Sequence, residues 1–197
     1  MLKLAAAIAL GLLLTAPAAA ESSLNAYDAA HQALVSIFED LPLSVRNVTL
    51  TEAPATGYGN YTPRDSSSFR PGEKIHVYVE VLGYGWHDNG DGTQSELLDA
   101  DLNLLNATGQ TVASQAKFLS ANIKSREHLL ETFLTLDATL TSFQPGDYKL
   151  QYVLHDRAAD KDVTFEVPIT LTPGDAAGGA SSSAAGSAEA GGSSAAQ

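Results

Sequence analysis

Between residues 43 and 171 the apolar side chains recur with a period of two and not with a helical period, which commits that stretch to β-sheet. Ile75, Val77, Val79 and Val81 alternate with His76, Tyr78 and Glu80. Tyr148, Leu150, Tyr152 and Leu154 alternate with Lys149 and Gln151, and Val163, Phe165, Val167, Ile169 and Leu171 alternate with Thr164, Glu166, Pro168 and Thr170. Turn signals divide the stretch into seven candidate strands at 43–51, 73–83, 96–105, 111–119, 129–140, 147–155 and 162–171. Two of them open from one phrase, Ser68-Phe69-Arg70-Pro71-Gly72-Glu73 and Ser142-Phe143-Gln144-Pro145-Gly146-Asp147. Proline presets one φ and glycine frees the next, so each phrase turns the chain sharply into a strand. The two are not copies of a repeat, because Tyr148, Leu150 and Tyr152 align with Lys74, His76 and Tyr78, the opposite face of the earlier strand. Short strands without intervening helices predict a sandwich, with Pro168 placing the last strand at an edge.

The flanks read differently. Lys3, an apolar run from Leu4 to Leu14, Pro17 and Ala18-Ala19-Ala20 describe a secretory signal peptide over 1–20, too short to span a bilayer. Cleavage is expected after Ala20, into a periplasmic or secreted location, with no membrane span left afterwards. Residues 21–42 read as an amphipathic helix. Leu24, Tyr27, His31, Leu34, Phe38 and Leu41 form one stripe at alternating spacings of three and four, and Pro42 ends it. The expectation is a helix docked along that stripe on its own domain, with partner binding as the alternative. The domain itself covers 43–172. The Ala/Gly/Ser-rich tail over 173–197 has no side chain able to offset the entropy of ordering and is expected to be disordered.

One segment sharpens the sandwich. Phe143-x-Pro145-Gly146-x-Tyr148 resembles the tyrosine corner of immunoglobulin and fibronectin type III domains, where a Tyr at the start of a strand bonds back to the corner it has just left. The resemblance implies an all-β fold, a seven-stranded antiparallel immunoglobulin-like β-sandwich preceded by one N-terminal α-helix. The absence of cysteine sets it apart from antibody-type domains. The stretch from Phe69 to Leu171, with its late Pro-Gly-x-Tyr strand and Lys161 in the last hairpin, is also similar to uncharacterised exported bacterial β-domains, a resemblance that implies no activity.

Composition and motifs narrow the function. The formal net charge is −12, and loss of Lys3 with the signal peptide makes it one unit more negative. Such a surface disfavours nucleic acid and anionic membranes. There is no Gly-x-Ser-x-Gly elbow, no phosphate-binding glycine loop, no His-Glu-x-x-His and no cysteine, and the five histidines lack ligand spacing. No catalytic residue and no cofactor is implied. His87-Asp88-Asn89-Gly90-Asp91-Gly92-Thr93 looks at first like a Ca²⁺ loop, but the template would put His87 at the first ligand position and Leu98 where a glutamate belongs. It reads better as a hairpin turn. Alternating strands would gather this loop with the segments around 122–126 and 155–162 at one end of the sandwich. Tyr84, Trp86, His87, Asp88, Asp91 and Asp156 are the ligand-binding candidates there, for a glycan or Ca²⁺. The competing reading makes Tyr84 and Trp86 plugs of the core. The loop Gly57-Tyr58-Gly59-Asn60-Tyr61 is expected at the opposite end. The function expected from all this is a non-enzymatic interaction module of the periplasm or cell envelope, its partner a protein or glycan, with small-ligand binding as the alternative.

Overall fold

The computed structural model describes residues 18–174, with side chains from residue 23 onward. Most of the expected signal peptide and nearly all of the expected tail lie outside the described residues. The described residues are mostly β, with one helix at their N-terminal side. Helix α1 (Ala18–Asp40) leads into strands β1 (Ser44–Thr51), β2 (Ser68–Phe69), β3 (Lys74–Leu82), β4 (His87–Asp88), β5 (Gln94–Asn106), β6 (Thr111–Ser125), β7 (Thr132–Thr139), β8 (Gly146–Asp156) and β9 (Lys161–Leu171). The seven longer strands are those the alternation predicts. The two-residue strands are additions, too short to carry a period.

Two sheets result. One has the order β1-β3-β7; the other runs β2-β9-β8-β5-β4, with β6 also paired to β5. Pairing is antiparallel except for β2, which joins β9 in parallel through Ser68–Thr170 and Phe69–Leu171. The architecture is therefore not purely antiparallel, and β9 is an edge only up to the point where β2 covers it. Pro168, opposite Lys149, lies in the part before that pairing. Strand β6 runs past its expected end at Leu119 because Ser120 to Ser125 continue the ladder with β5 although their sequence is polar. The inward phases meet between the sheets, where Ile75, Val77, Leu98, Leu136, Leu150 and Leu154 are almost wholly removed from water. At the start of β8, Tyr148 Oη donates to the Gln144 carbonyl at 2.9 Å, the bond expected of a tyrosine corner.

Two placements differ from expectation. The Gly57 to Tyr61 loop does not sit at the far end but lies against the outer face of the β1-β3-β7 sheet. There Gly59 N donates to Tyr78 Oη at 2.8 Å and the Tyr61 ring lies 4.2 Å from that of Tyr78. The outward phase of β3 supplies the anchor. Glu80, 3% exposed, accepts from Arg46, Asn47, Tyr58 and Tyr78. Burial pushes its carboxyl up, but the four donors outweigh burial and hold it below the usual range.

Helix α1 is the second difference. It runs through the expected cleavage position and ends at Asp40, two residues short of the expected end. Of its predicted stripe only Phe38 is buried, joined by Val35 from the neighbouring position. Leu24, Tyr27 and Leu34 are 63%, 68% and 51% exposed. The helix thus docks by its last turns. The physical reason is the short link to β1, Leu41 to Leu43, which ties only the C-terminal end to the sandwich. No helix among the described residues is long and apolar enough to cross a membrane.

Candidate functional site

The end of the sandwich that carries α1 also carries the polar and aromatic loops, as alternating strands require. Gly83-Tyr84-Gly85 begins this site, and each glycine answers a close approach. Gly83 has φ +74°, and a Cβ there would lie 2.4 Å from the Pro42 carbonyl. A Cβ on Gly85 would lie 2.7 Å from that of Ala159 in the β8–β9 loop. The two bare positions let the loop close down, and Tyr84 points inward, fully buried. Its ring meets Phe38 of α1 edge-on at 4.9 Å and Trp86 at 5.8 Å. Trp86 completes the cluster, 5.4 Å from Phe38 and stacked on His128 at 4.4 Å.

Lys161, at the start of β9, fastens the helix to this end. Its ammonium donates to the carbonyls of Glu39 at 3.1 Å and of Leu41 and Gly83 at 2.8 Å. The last turn of α1 has no basic residue of its own. A cation from a distant strand therefore satisfies the carbonyls at its end and complements its dipole.

Below the aromatic cluster lie two buried acids, each extending an apolar phase of its strand. Asp156 follows Leu150, Tyr152 and Leu154 on β8; its carboxylate accepts the backbone N–H of Gly85 at 2.7 Å, of Ala158 at 2.9 Å and of Ala159 at 3.3 Å. It anchors two loops and is 2% exposed. Glu96 precedes Leu98, Ala100 and Leu102 in the inward phase of β5 and is 1% exposed. Its Oε2 lies 2.6 Å from Thr132 Oγ1, which lies 3.0 Å from Tyr84 Oη, itself 2.8 Å from the Leu129 carbonyl. Burial pushes the Glu96 carboxyl up to about 7; the Thr132 and Tyr84 hydroxyls pull the other way, and the charge of Asp156 adds to the rise. Glu96 Oε1 and the Trp86 indole nitrogen are buried with no hydrogen-bond partner among the described residues.

Above them is an open cleft of about 390 Å³, walled by Glu39, Trp86, Asp88, Gln94, His128 and Lys161. Of the six predicted ligand-binding residues, Trp86 and Asp88 line it. Tyr84 and Asp156 lie beneath it, turned to the core and to loop amides, so they offer no surface to a ligand. His87 and Asp91 belong to the β4–β5 hairpin. Asn89 N donates to Thr93 O at 3.0 Å and Gly90 N to Asp88 Oδ1 at 2.8 Å, the geometry of a tight turn. Asp91 pairs with Lys124 at 2.8 Å and accepts from Thr93; that ammonium and that hydroxyl hold its carboxyl down to about 2. These oxygens serve the turn, and no three His, Asp or Glu side chains among the described residues converge as metal ligands would. Gln94, His128, Lys161 and Glu96 were not among the predicted site residues. Glu96 alone carried a sequence signal, a carboxyl in phase with Leu98, Ala100 and Leu102.

No family model matches the chain, and no curated protein sequence matches it. Solved structures give distant likenesses. A sporulation control protein from Bacillus subtilis is 13% identical, with 68% of this chain and 50% of that one covered at a TM-score of 0.39. A Niemann-Pick type C2 protein from the Japanese carpenter ant is 8% identical, with 55% and 82% covered at 0.37. A CARDB domain from Pyrococcus furiosus is 13% identical, with 68% and 94% covered at 0.29. The chain spans 50% of the sporulation control protein. None of these likenesses is close enough to bear on function.

Proposed function

We propose that this chain is an exported, non-enzymatic β-sandwich of the immunoglobulin and fibronectin type III kind, working in the periplasm or cell envelope as an interaction module that offers α1 to a protein partner. The sandwich reading is supported by the strand order β1-β3-β7 against β9-β8-β5-β6 and by the Tyr148 corner. Export rests on the signal-like N-terminus.

One observation carries the interaction reading. Leu24, Tyr27, Leu34 and Ile37 are exposed on α1, with Leu41 just past its end, and the only other large hydrophobic side chain exposed among the described residues is Val112. A folded domain gathers exposed apolar groups on one element where that element meets a partner. From Ala18 to Asp40 the helix has no Lys or Arg, and its charges are Glu21, Asp28, Glu39 and Asp40. The fitting partner is therefore a protein with an apolar groove rimmed by basic side chains. A photo-crosslinker in place of Leu34, in host envelope extract, should give one discrete adduct that weakens with added salt and is lost on Leu24→Ser with Ile37→Ser. No adduct, or one indifferent to both changes, counts against this role.

A second reading is favoured by the cleft alone. Trp86 beside Asp88 and Gln94 pairs an aromatic edge with acidic and amide groups, the chemistry of sugar recognition. Titrating a glycan panel and Ca²⁺ against the emission of Trp86, the single tryptophan, tests it directly. Emission unchanged throughout would remove this reading and leave the first intact.

A further inference from the structure

The three contacts that run from Glu96 through Thr132 and Tyr84 to the Leu129 carbonyl cannot all be hydrogen bonds unless Glu96 carries a proton. The Leu129 carbonyl can only accept, so the single hydroxyl proton of Tyr84 must point to it across 2.8 Å. Tyr84 Oη must then accept from Thr132, whose single proton is thereby used across 3.0 Å. With that proton committed, the 2.6 Å contact between Thr132 Oγ1 and Glu96 Oε2 needs a proton on the carboxyl, which donates to Thr132. Every oxygen in the row is buried or half-buried, so an unmade bond has little water to replace it. The Tyr84 ring held at the end of this row is the surface on which Phe38 of α1 rests.

We propose that Glu96 is a buried protonation switch for the seating of α1: neutral, it completes the row that holds Tyr84 under Phe38; ionised, it breaks the row and lets the helix leave the sandwich. Ionisation leaves a carboxylate that can only accept. Thr132 must then turn its proton to Glu96, and Tyr84 must give up either Thr132 or Leu129. The charge so formed is buried, with one oxygen unpaired and the like charge of Asp156 acting on it. Among the described residues, the groups that act on Glu96 include no cation. Tyr84 comes from the loop before β4, Thr132 from β7 and Asp156 from β8. From α1 the apolar Phe38 reaches this cluster, and the ammonium of Lys161 is held by three carbonyls.

The sign follows from the raised carboxyl. Between the ordinary glutamate value of about 4.3 and the folded value near 7, the seated protein holds a proton that the unfolded chain has lost. Seating is thus favoured at low pH and weakens as pH rises through that window. The switch does not depend on what α1 binds.

The chain has one tryptophan and no cysteine, so Gln32→Cys, exposed on α1, takes a single dansyl label facing a single donor. Energy transfer from Trp86 to the label is expected to fall as pH rises, with a midpoint near 7. Glu96→Gln should abolish the transition and keep the low-pH transfer, because the amide N–H still donates to Thr132. His128→Phe, which keeps the ring on Trp86 but cannot titrate, should retain it. The Asp162 and Asp101 carboxylates hold the His155 imidazole above its ordinary value, but His155 stands in the outward phase of β8, opposite to Leu154 and Asp156, and so faces away from Glu96. No transition in the native protein, or one that survives in Glu96→Gln, overturns the switch. Should Glu96→Gln not fold, carbon-13 NMR of the native glutamate carboxyls decides. One midpoint near 7 upholds the proton on Glu96, and all midpoints at about 4 to 5 overturn it.

Discussion

Phe38→Ala is expected to detach α1 while leaving the sandwich folded. Phe38 is 4% exposed and is the one buried member of the helical stripe, 4.9 Å from Tyr84 and 5.4 Å from Trp86. Truncating a buried phenylalanine costs about 3 to 5 kcal/mol when the cavity persists. Here the cavity need not persist, because the helix that contributes the ring can leave, so the loss is capped at the docking energy, on the order of 3 kcal/mol. An undocked α1 has no tertiary support, and a helix of this length is marginal by itself in water. The helical circular dichroism signal should therefore fall, and Trp86 emission should shift to the red as its Phe38 side opens. Leu24→Ala, at a site 63% exposed, is the control and should change stability by less than about 0.5 kcal/mol. If Phe38→Ala keeps both the helical signal and the emission of the native protein, docking by the last turns is the wrong account of α1.

The second large effect is expected at Glu80, on the other face of the β1-β3-β7 sheet. Glu80→Ala removes the common acceptor of Arg46, Asn47, Tyr58 and Tyr78. Breaking a buried pair costs about 3 to 5 kcal/mol. Arg46 is half exposed and can turn to water, so the lower part of that range, about 3 kcal/mol, is the better expectation. Tyr78 cannot turn away, because the 57–61 loop closes over it. Urea unfolding should show a lower midpoint with an unchanged slope; a loss under about 1 kcal/mol would mean that the loop is held by ring stacking alone. The pH dependence of Glu80 runs opposite to that of Glu96. Its folded carboxyl is held low, so its contribution is present above the unfolded value and lost as pH falls through the folded one. Together the two acids narrow the stable range from both sides, Glu80 failing in acid and Glu96 toward neutral pH.

The strands were legible because their information is local. A period of two declares both the conformation and the face of each residue, and the seven longer strands with their inward phases follow from it. Turn chemistry is equally local, and the hairpin at Asn89-Gly90 and the corner at Tyr148 are where those residues place them. Even the gathering of loops at one end follows, since alternating strands leave little choice. The legibility stops at the outward phase of β3. Alternation marks Tyr78 and Glu80 as exposed, yet both are buried, because a loop about 20 residues earlier in the chain folds over them.

The site divides along the same line. Trp86 and Asp88 could be named from residue type and topology, and they do border the cleft. Tyr84 and Asp156 share their chemistry but face inward, a matter of strand phase at the sandwich end that residue type does not express. The order of the strands, their faces and their turns were thus set by the residues in near-neighbour sequence, through backbone geometry and side-chain period. How much of α1 docks, which loop covers β3 and whether Glu96 holds a proton were decided by tertiary contacts. Those contacts join residues far apart in the chain: Thr132 reaches Glu96 across 36 positions, and Lys161 reaches the Leu41 carbonyl across 120. A carboxyl becomes a switch only when distant elements remove it from water, and no local pattern states that they will.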